Sequence, residues 1–316
     1  MAQVEDKVEG GIADQAEGGA APAAERKPRN RKRFWRIVCI ISAVVLVAAL
    51  AVIGVIAYSY WQGRATYDEI AQDAFSSDDG SSESIEEKLA EPNGLADITV
   101  DWDALRATNP DVVAWVYIPD TMVNYPVVQA SDNEAYLHTD FKGNVSIGAS
   151  YGTIFLDYQN NPDFLDACSM MYGHNMNDGS MFAALAKFTD ATFFNEHRTI
   201  YVLTPRGNYR LETFALDHVS NDAAIVQLGF ESDEQRNAYV QERIDTSVVT
   251  PTEGLAQATD LGKVFAFATC DNYITDGRWI LFASVVESTV AGADTGASGN
   301  EAAEVSDADI AAVNAG

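Results

Sequence analysis

The apolar run FAFATC ends on Cys270, and Arg278 follows eight residues later, across the polar segment DNYITDG. A cysteine placed there has a definite chemistry open to it. Its thiolate attacks carbonyl carbon, provided that a proton-transferring group stands in reach and that something stabilises the oxyanion developed in acyl transfer. FAFATC reads as a strand, and a strand end opening into a loop is where a rigid scaffold presents reactive groups. A buried core thiol is nonetheless the commoner fate of a lone cysteine. The other two cysteines, Cys39 and Cys168, are widely scattered, so the three make neither a disulfide framework nor a C-x-x-C metal site.

Four histidines are available as the proton-transferring partner. His138 in YLHTDF and His197 in NEHRTI sit in polar connections and read as surface residues, and His218 lies in a strand on either face. His174 ends the run ACSMMYG and opens the loop HNMNDGS, the same strand-end placement as Cys270. Were those two strands neighbours, both groups would emerge at one rim. Arg278 begins the next strand and would return to that rim as a cation protonated at any working pH, although a surface ion pair is the commoner role for an arginine in so acidic a chain. Spacing alone leaves these choices open. A metal reading is weaker, because only two ligands would converge where a structural zinc wants four.

The elements that must position these residues are mostly strands. WVYIP, YPVVQ, GTIFLDY, ACSMMYG, TIYVLT, NYRLETFALDHV, KVFAFATC and WILFASVVE are short runs rich in Val, Ile, Phe and Tyr, separated by Gly, Pro, Asn and Asp clusters. About eight strands predict an all-β barrel or sandwich. Helical pattern is confined to DWDALRATN, GSMFAALAKF and SDEQRNAYVQERI, which would decorate the β core.

Outside that core the chain changes character. Residues 37–61 hold no charge, enough for a helix to cross a hydrocarbon layer of about 30 Å. The stretch is longer than a signal-peptide core and lacks a small-residue cleavage site, so it predicts an uncleaved anchor. Seven Lys and Arg from Arg26 to Arg36 precede it, which places residues 1–36 in the cytoplasm and the remainder outside. Residues 62–316 carry 12 Lys and Arg against 41 Asp and Glu, a net charge of −29 that disfavours nucleic acid as a partner. Residues 62–97 read as an acidic stalk, 98–287 as the folded domain and 288–316 as an acidic disordered tail. Cys39 falls within the span as a small apolar residue, and Cys168 is expected as a buried structural thiol.

YGHNMNDGSMF, together with ATC and an arginine eight residues on, resembles the sortases, and the domain as a whole is similar to class B. DWDALRATNPDVVAWVYIPDTMVNYPVVQASDNEAYLHTDF is similar to the first part of that class's domain, GTIFLDYQN to the strand that follows, and SDEQRNAYVQERI falls where class B carries an inserted helix. The likeness runs over residues 101–287. It implies an eight-stranded sortase-type β-barrel with N-terminal helices, a helix between strands 6 and 7, and a single transmembrane helix ahead of it, in a single-pass protein of the cell membrane with its catalytic domain outside. It also implies a cysteine transpeptidase without a cofactor. Cys270 would attack the threonine carbonyl of an NP-x-T-x sorting signal on a secreted protein, His174 would be general acid and base, and Arg278 would hold the oxyanion. An amine of a peptidoglycan precursor, or a pilin lysine, would resolve the thioacyl intermediate. Asn124 and Val128 in NYPVV match positions lining the substrate groove, and Thr269 and Asp271 flank the cysteine on the substrate side. One departure is plain: class B usually reads T-L-S-T-C, whereas here Ala268 replaces the serine. A membrane-tethered scaffold with a degenerate site is the non-enzymatic alternative, and it predicts an unreactive Cys270.

Overall fold

In the computed structural model the described residues are 31–75, 84–145, 151–220, 227–252, 257–270 and 277–297. The chain divides into two compact units, Met1–Ile53 and Gly54–Gly316. The described part of the first is the beginning of a single long helix, α1 (Arg31–Phe75), with its side chains exposed. Among the described residues α1 is the one helix long and apolar enough to cross a membrane.

In the second unit α1 continues into α2 (Ile85–Ala90), α3 (Gly94–Asp97) and α4 (Trp102–Thr108). These short helices begin where side chains satisfy free backbone N–H groups: Ser84 and Glu87 form a reciprocal capping box on α2, and Asp101 accepts from the Ala104 N–H at 2.8 Å on α4. Strands β1 (Val112–Tyr117), β2 (Asn124–Val128), β3 (Ile154–Leu156) and β4 (Cys168–Tyr172) follow. A 3-10 helix (Phe182–Thr189) and α5 (Ala191–Glu196) lead to β5 (Thr199–Thr204) and β6 (Gly207–Ser220), then α6 (Asp233–Thr246), β7 (Val264–Cys270) and β8 (Gly277–Ser288).

The eight strands close into a barrel in the order β1-β2-β3-β4-β7-β8-β6-β5. Two pairings are parallel, β2 with β3 and β4 with β7, and the others are antiparallel. Closure leaves no open edge. The long β6 shifts register against β8 twice, near Arg210 and Thr213, the kind of irregularity that bends a strand around a barrel. The eight runs read from the sequence are these eight strands, and α6 lies between β6 and β7 as expected. GSMFAALAKF forms the tighter 3-10 helix in place of an α-helix.

The expected stalk is different in the structure. Tyr67, Ile70, Ala74 and Phe75 are buried in the main core, with the Phe75 ring edge-on to Trp115 at 5.2 Å and Tyr67 edge-on to Tyr125 at 5.3 Å. Acidic composition hid an apolar face at helical spacing, 67, 70 and 74. Ile85, Leu95 and Ile98 are buried too, and Asn208 donates to the carbonyls of Leu95 at 2.8 Å and Ile98 at 3.2 Å. The first residues of the expected tail are also ordered onto the domain, since Lys263 donates its backbone N–H to Asp294 and Ala297 donates to Asp260, each at 2.9 Å. Residues 298–316 lie outside the described part.

Phe75→Ala should therefore cost about 3–5 kcal/mol of stability, the range for emptying a buried aromatic site, whereas a stalk residue would cost nothing measurable; urea unfolding reads the difference. Burial also sets the pH response. It drives the Lys263 ammonium down to about 8, against the raising effect of Cys168 and Asp166, and pushes the Cys168 thiol and the Tyr125 hydroxyl each up to about 12. The folded chain holds fewer protons than the unfolded chain at Lys263 between about pH 8 and 10.5, so stability rises there. It holds more at Cys168 above about pH 9 and at Tyr125 above about pH 10, so stability falls there. Stability should peak near pH 9 to 10, and Lys263→Met should remove the rise that precedes the peak.

Candidate active site

The site begins with a register. Tyr172 on β4 pairs with Ala268 on β7 in a parallel ladder, and the Gly173 N–H donates to the Ala268 carbonyl at 3.1 Å. Two residues beyond each of these paired positions stand His174 and Cys270. Their backbones therefore leave neighbouring strands at the same rim of the barrel. On the other side of β7, antiparallel β8 sets Arg278 directly opposite Cys270. Directly paired Cα atoms in such a ladder stand about 5 Å apart. The neighbourhood expected of His174 and Cys270 is thus a property of the strand order β4-β7-β8.

His174 is half-buried and held on several sides. Its Nε2 lies 2.5 Å from the Leu137 carbonyl. Because a carbonyl only accepts, Nε2 carries the hydrogen of this contact. The ring stacks on His138 with centroids 6.0 Å apart and planes at 20°. Its backbone carbonyl accepts from the Phe182 N–H at 2.9 Å, and an Asn175–Met181 bridge closes the loop. Gly173 is required here: a Cβ would run into Ile154 and Phe182. His138, read from the sequence as a simple surface residue, is exposed but belongs to this constellation. Its neighbourhood was invisible in the sequence because the chain returns through residues 136–138 with no periodic pattern.

His174, Thr269 and Arg278 line one cavity of about 170 Å³, together with Ala268, Tyr172 and Asn133. Bonded to two of these lining residues is Asp157, a buried carboxylate immediately after β3. It accepts from the Tyr172 hydroxyl and Asn133 Nδ2 at 2.9 Å each, and from the Gln159 N–H at 2.9 Å. Burial raises the Tyr172 hydroxyl above its ordinary value, the Asp157 charge raises it further, and the Arg278 cation opposes both. Tyr172 thus stays a neutral donor. The sequence reading missed Asn133, Asp157 and Tyr172; the only cue was a lone acid at the end of an otherwise apolar strand.

The substrate-side residues separate. Thr269 is buried, and its hydroxyl has no partner among the described residues. Val128 is fully buried at 0% exposure within the main core, so it lines no groove. Along β2 the run NYPVV is buried from Tyr125 to Val128 because the strand is covered on both faces. Asn124 accepts from the Trp115 indole N–H at 2.7 Å and borders a different cavity of about 340 Å³, beside Arg64, Tyr67 and Met122 of the α1 side. Asp271 lies outside the described residues. Cys168 is buried, as expected of a structural thiol.

Comparison with known proteins agrees with this fold. A family model described as the Sortase domain matches residues 116–286. Sortase B of Listeria monocytogenes is 31% identical over 223 residues, covering 70% of this chain and 87% of that protein. Sortase B of Staphylococcus aureus is 26% identical over 188 residues, covering 59% of this chain and 75% of that protein. Among solved structures, sortase B of Bacillus anthracis superposes with a TM-score of 0.58 at 29% identity, covering 72% of this chain and 97% of that one. An eight-stranded barrel that carries histidine, cysteine and arginine at the ends of three adjacent strands, matched over most of its length by these proteins, makes this chain a member of the sortase family, a class B cysteine transpeptidase.

Proposed function

We propose that the chain cleaves an NP-x-T-x-type sorting signal after its threonine and joins the new carboxyl end to an amine at the cell surface, with Cys270, His174 and Arg278 as the catalytic residues. The observation that carries this reading is the convergence of three strand ends on one rim, with a cavity lined by His174 and Arg278. The Cys270 thiolate adds to the threonine carbonyl carbon, and the carbonyl oxygen takes the negative charge. The Arg278 guanidinium stabilises that oxyanion. Collapse breaks the C–N bond. His174, which has taken the Cys270 thiol proton on Nδ1, gives that proton to the departing amine, and a thioester is left on Cys270. An acceptor amine then attacks, loses a proton to His174 and displaces the thiolate. Thr269 borders this cavity, and its buried hydroxyl has no partner among the described residues.

Membrane attachment fits the same reading. The apolar part of α1, preceded by a basic segment, would anchor the chain with residues 1–36 in the cytoplasm and the barrel outside. Tethering holds enzyme, secreted substrate and wall precursor at one surface and raises their effective concentrations.

Intact-mass spectrometry of the protein with NP-x-T-x peptides and either oligoglycine or a lysine-bearing peptide tests the proposal. A thioacyl adduct that forms on the wild type and is absent from Cys270→Ala is the expected result, and the acceptor that resolves it separates wall anchoring from pilin joining. Relative to wild type, His174→Ala should lower kcat/KM by about 10²–10⁴. Arg278→Ala should lower it by about 10²–10³. A Cys270 that takes no acyl group from any peptide and resists a small thiol reagent in the folded state would support the scaffold reading.

A further inference from the structure

The loop that follows His174 is gripped by α1. Arg64, three residues beyond the apolar stretch, donates from Nε to Asp178 Oδ2 at 2.9 Å and from a terminal nitrogen to the Asp178 carbonyl at 2.5 Å. The Tyr151 hydroxyl lies 2.5 Å from the same Oδ2. On the other oxygen, Asp178 Oδ1 accepts from the Ser180 hydroxyl at 2.5 Å and the Ser180 N–H at 3.1 Å. Both oxygens are thus filled with donors. Burial works against the charge of Asp178, but Ser180, Tyr151 and Arg64 outweigh it and hold the carboxyl below its ordinary value. Gly63 lets α1 approach this closely, since a Cβ there would collide with the Tyr151 ring.

A second contact from α1 reaches the opposite side of His174. The Tyr67 hydroxyl donates to the Gly152 carbonyl at 2.5 Å. Gly152 has φ +58°, and a Cβ on it would lie 2.6 Å from the Leu137 carbonyl oxygen and 3.1 Å from His174 Cδ2. That Leu137 oxygen is the one that accepts from His174 Nε2. One face of α1 therefore braces both the loop leaving His174 and the backbone that fixes its ring.

We propose that Arg64, Asp178 and Tyr151 are positioning residues for transpeptidation, a clamp through which α1 holds His174 in its Nε2–H tautomer and at its working place. The proposal rests on the general acid–base role assigned above to His174. A purely stabilising role fits poorly, because the Arg64 side chain is 44% exposed and ion pairs that open to solvent contribute little to folding. Displacing a proton-transfer group, in contrast, is costly to turnover even when the fold is intact. An asparagine at 178 would offer N–H groups to Arg64 or to Ser180, so a neutral isostere also breaks the clamp.

The test uses the full chain in detergent micelles, with Arg64→Ala, Arg64→Lys, Asp178→Asn and His174→Ala beside the wild type. Transpeptidation of an NP-x-T-x peptide to oligoglycine gives kcat and KM, urea unfolding gives stability, and ¹⁵N-histidine NMR reads the tautomer of His174 independently of turnover. Arg64→Ala and Asp178→Asn should lower kcat roughly tenfold or more with KM little changed. Both should also mix the His174 tautomers and leave the unfolding midpoint near wild type, and Arg64→Lys should recover part of the loss. Wild-type kcat and an undisturbed tautomer in Arg64→Ala and Asp178→Asn, beside an inactive His174→Ala, would overturn the clamp and leave the catalytic assignment standing. So would a loss that merely follows the unfolded fraction and is equal in Arg64→Ala and Arg64→Lys. Full turnover by His174→Ala would overturn the assignment and the clamp together.

Discussion

Backbone hydrogen bonds between two parallel strands, β4 and β7, set where the chemistry of this barrel can take place. Parallel neighbours cannot be joined by a tight turn, so the chain between them, residues 173–263, makes a long crossover that includes β5, β6 and α6. In return, both strands end at the same rim. Had they paired antiparallel, His174 and Cys270 would stand a strand length apart, about 17 Å for five residues. Antiparallel β8 adds the third group, because such a neighbour starts where β7 stops. Cys270 and Arg278 are consequently a cross-strand pair, while His174 arrives from the opposite flank.

Placing three backbones is not the same as fixing three side chains. A histidine at a strand end has two ring nitrogens and free rotation unless something chooses for it. Here the choice is made by groups remote in sequence: the Leu137 carbonyl, the His138 ring, and a glycine at 152 whose positive φ lets the backbone come close. Gly152 is in turn held by Tyr67 of α1, whose apolar face is part of the main core. The segment nearest the candidate membrane span thus belongs to the folded domain. Its acidic residues face outward, and its Tyr, Ile, Ala and Phe face inward.

The strands, their number and the paired strand-end placement of His174 and Cys270 were legible because each depends on local pattern: β-branched and aromatic runs broken by turn residues. Membership of the sortases was legible from YGHNMNDGSMF and ATC together. Three things were not. The apolar face of residues 67–75 is diluted by Asp68, Glu69 and Asp73, so composition spoke louder than period. The burial of Val128 depends on β2 being covered on both faces, which a five-residue run does not announce. The support around His174 is assembled from residues 64, 137, 151, 152 and 178, and no spacing rule connects them.

Electrostatics draws the remaining boundary around the site. In a chain with 47 acids and 20 bases an arginine is expected to find a carboxylate, yet Arg278 makes no ion pair with any of the described residues. Asp157 shares a neighbour with Arg278, since the two charges act on Tyr172 in opposite senses. Asp157 is occupied, since Tyr172, Asn133 and Gln159 all donate to it. Its buried charge is satisfied by neutral donors, so among the described residues the Arg278 guanidinium is left without a carboxylate. A cation with no carboxylate of its own among the described residues can answer the charge that appears on an oxygen only during reaction, which is the condition under which an electrostatic contact lowers a barrier in preference to binding the ground state.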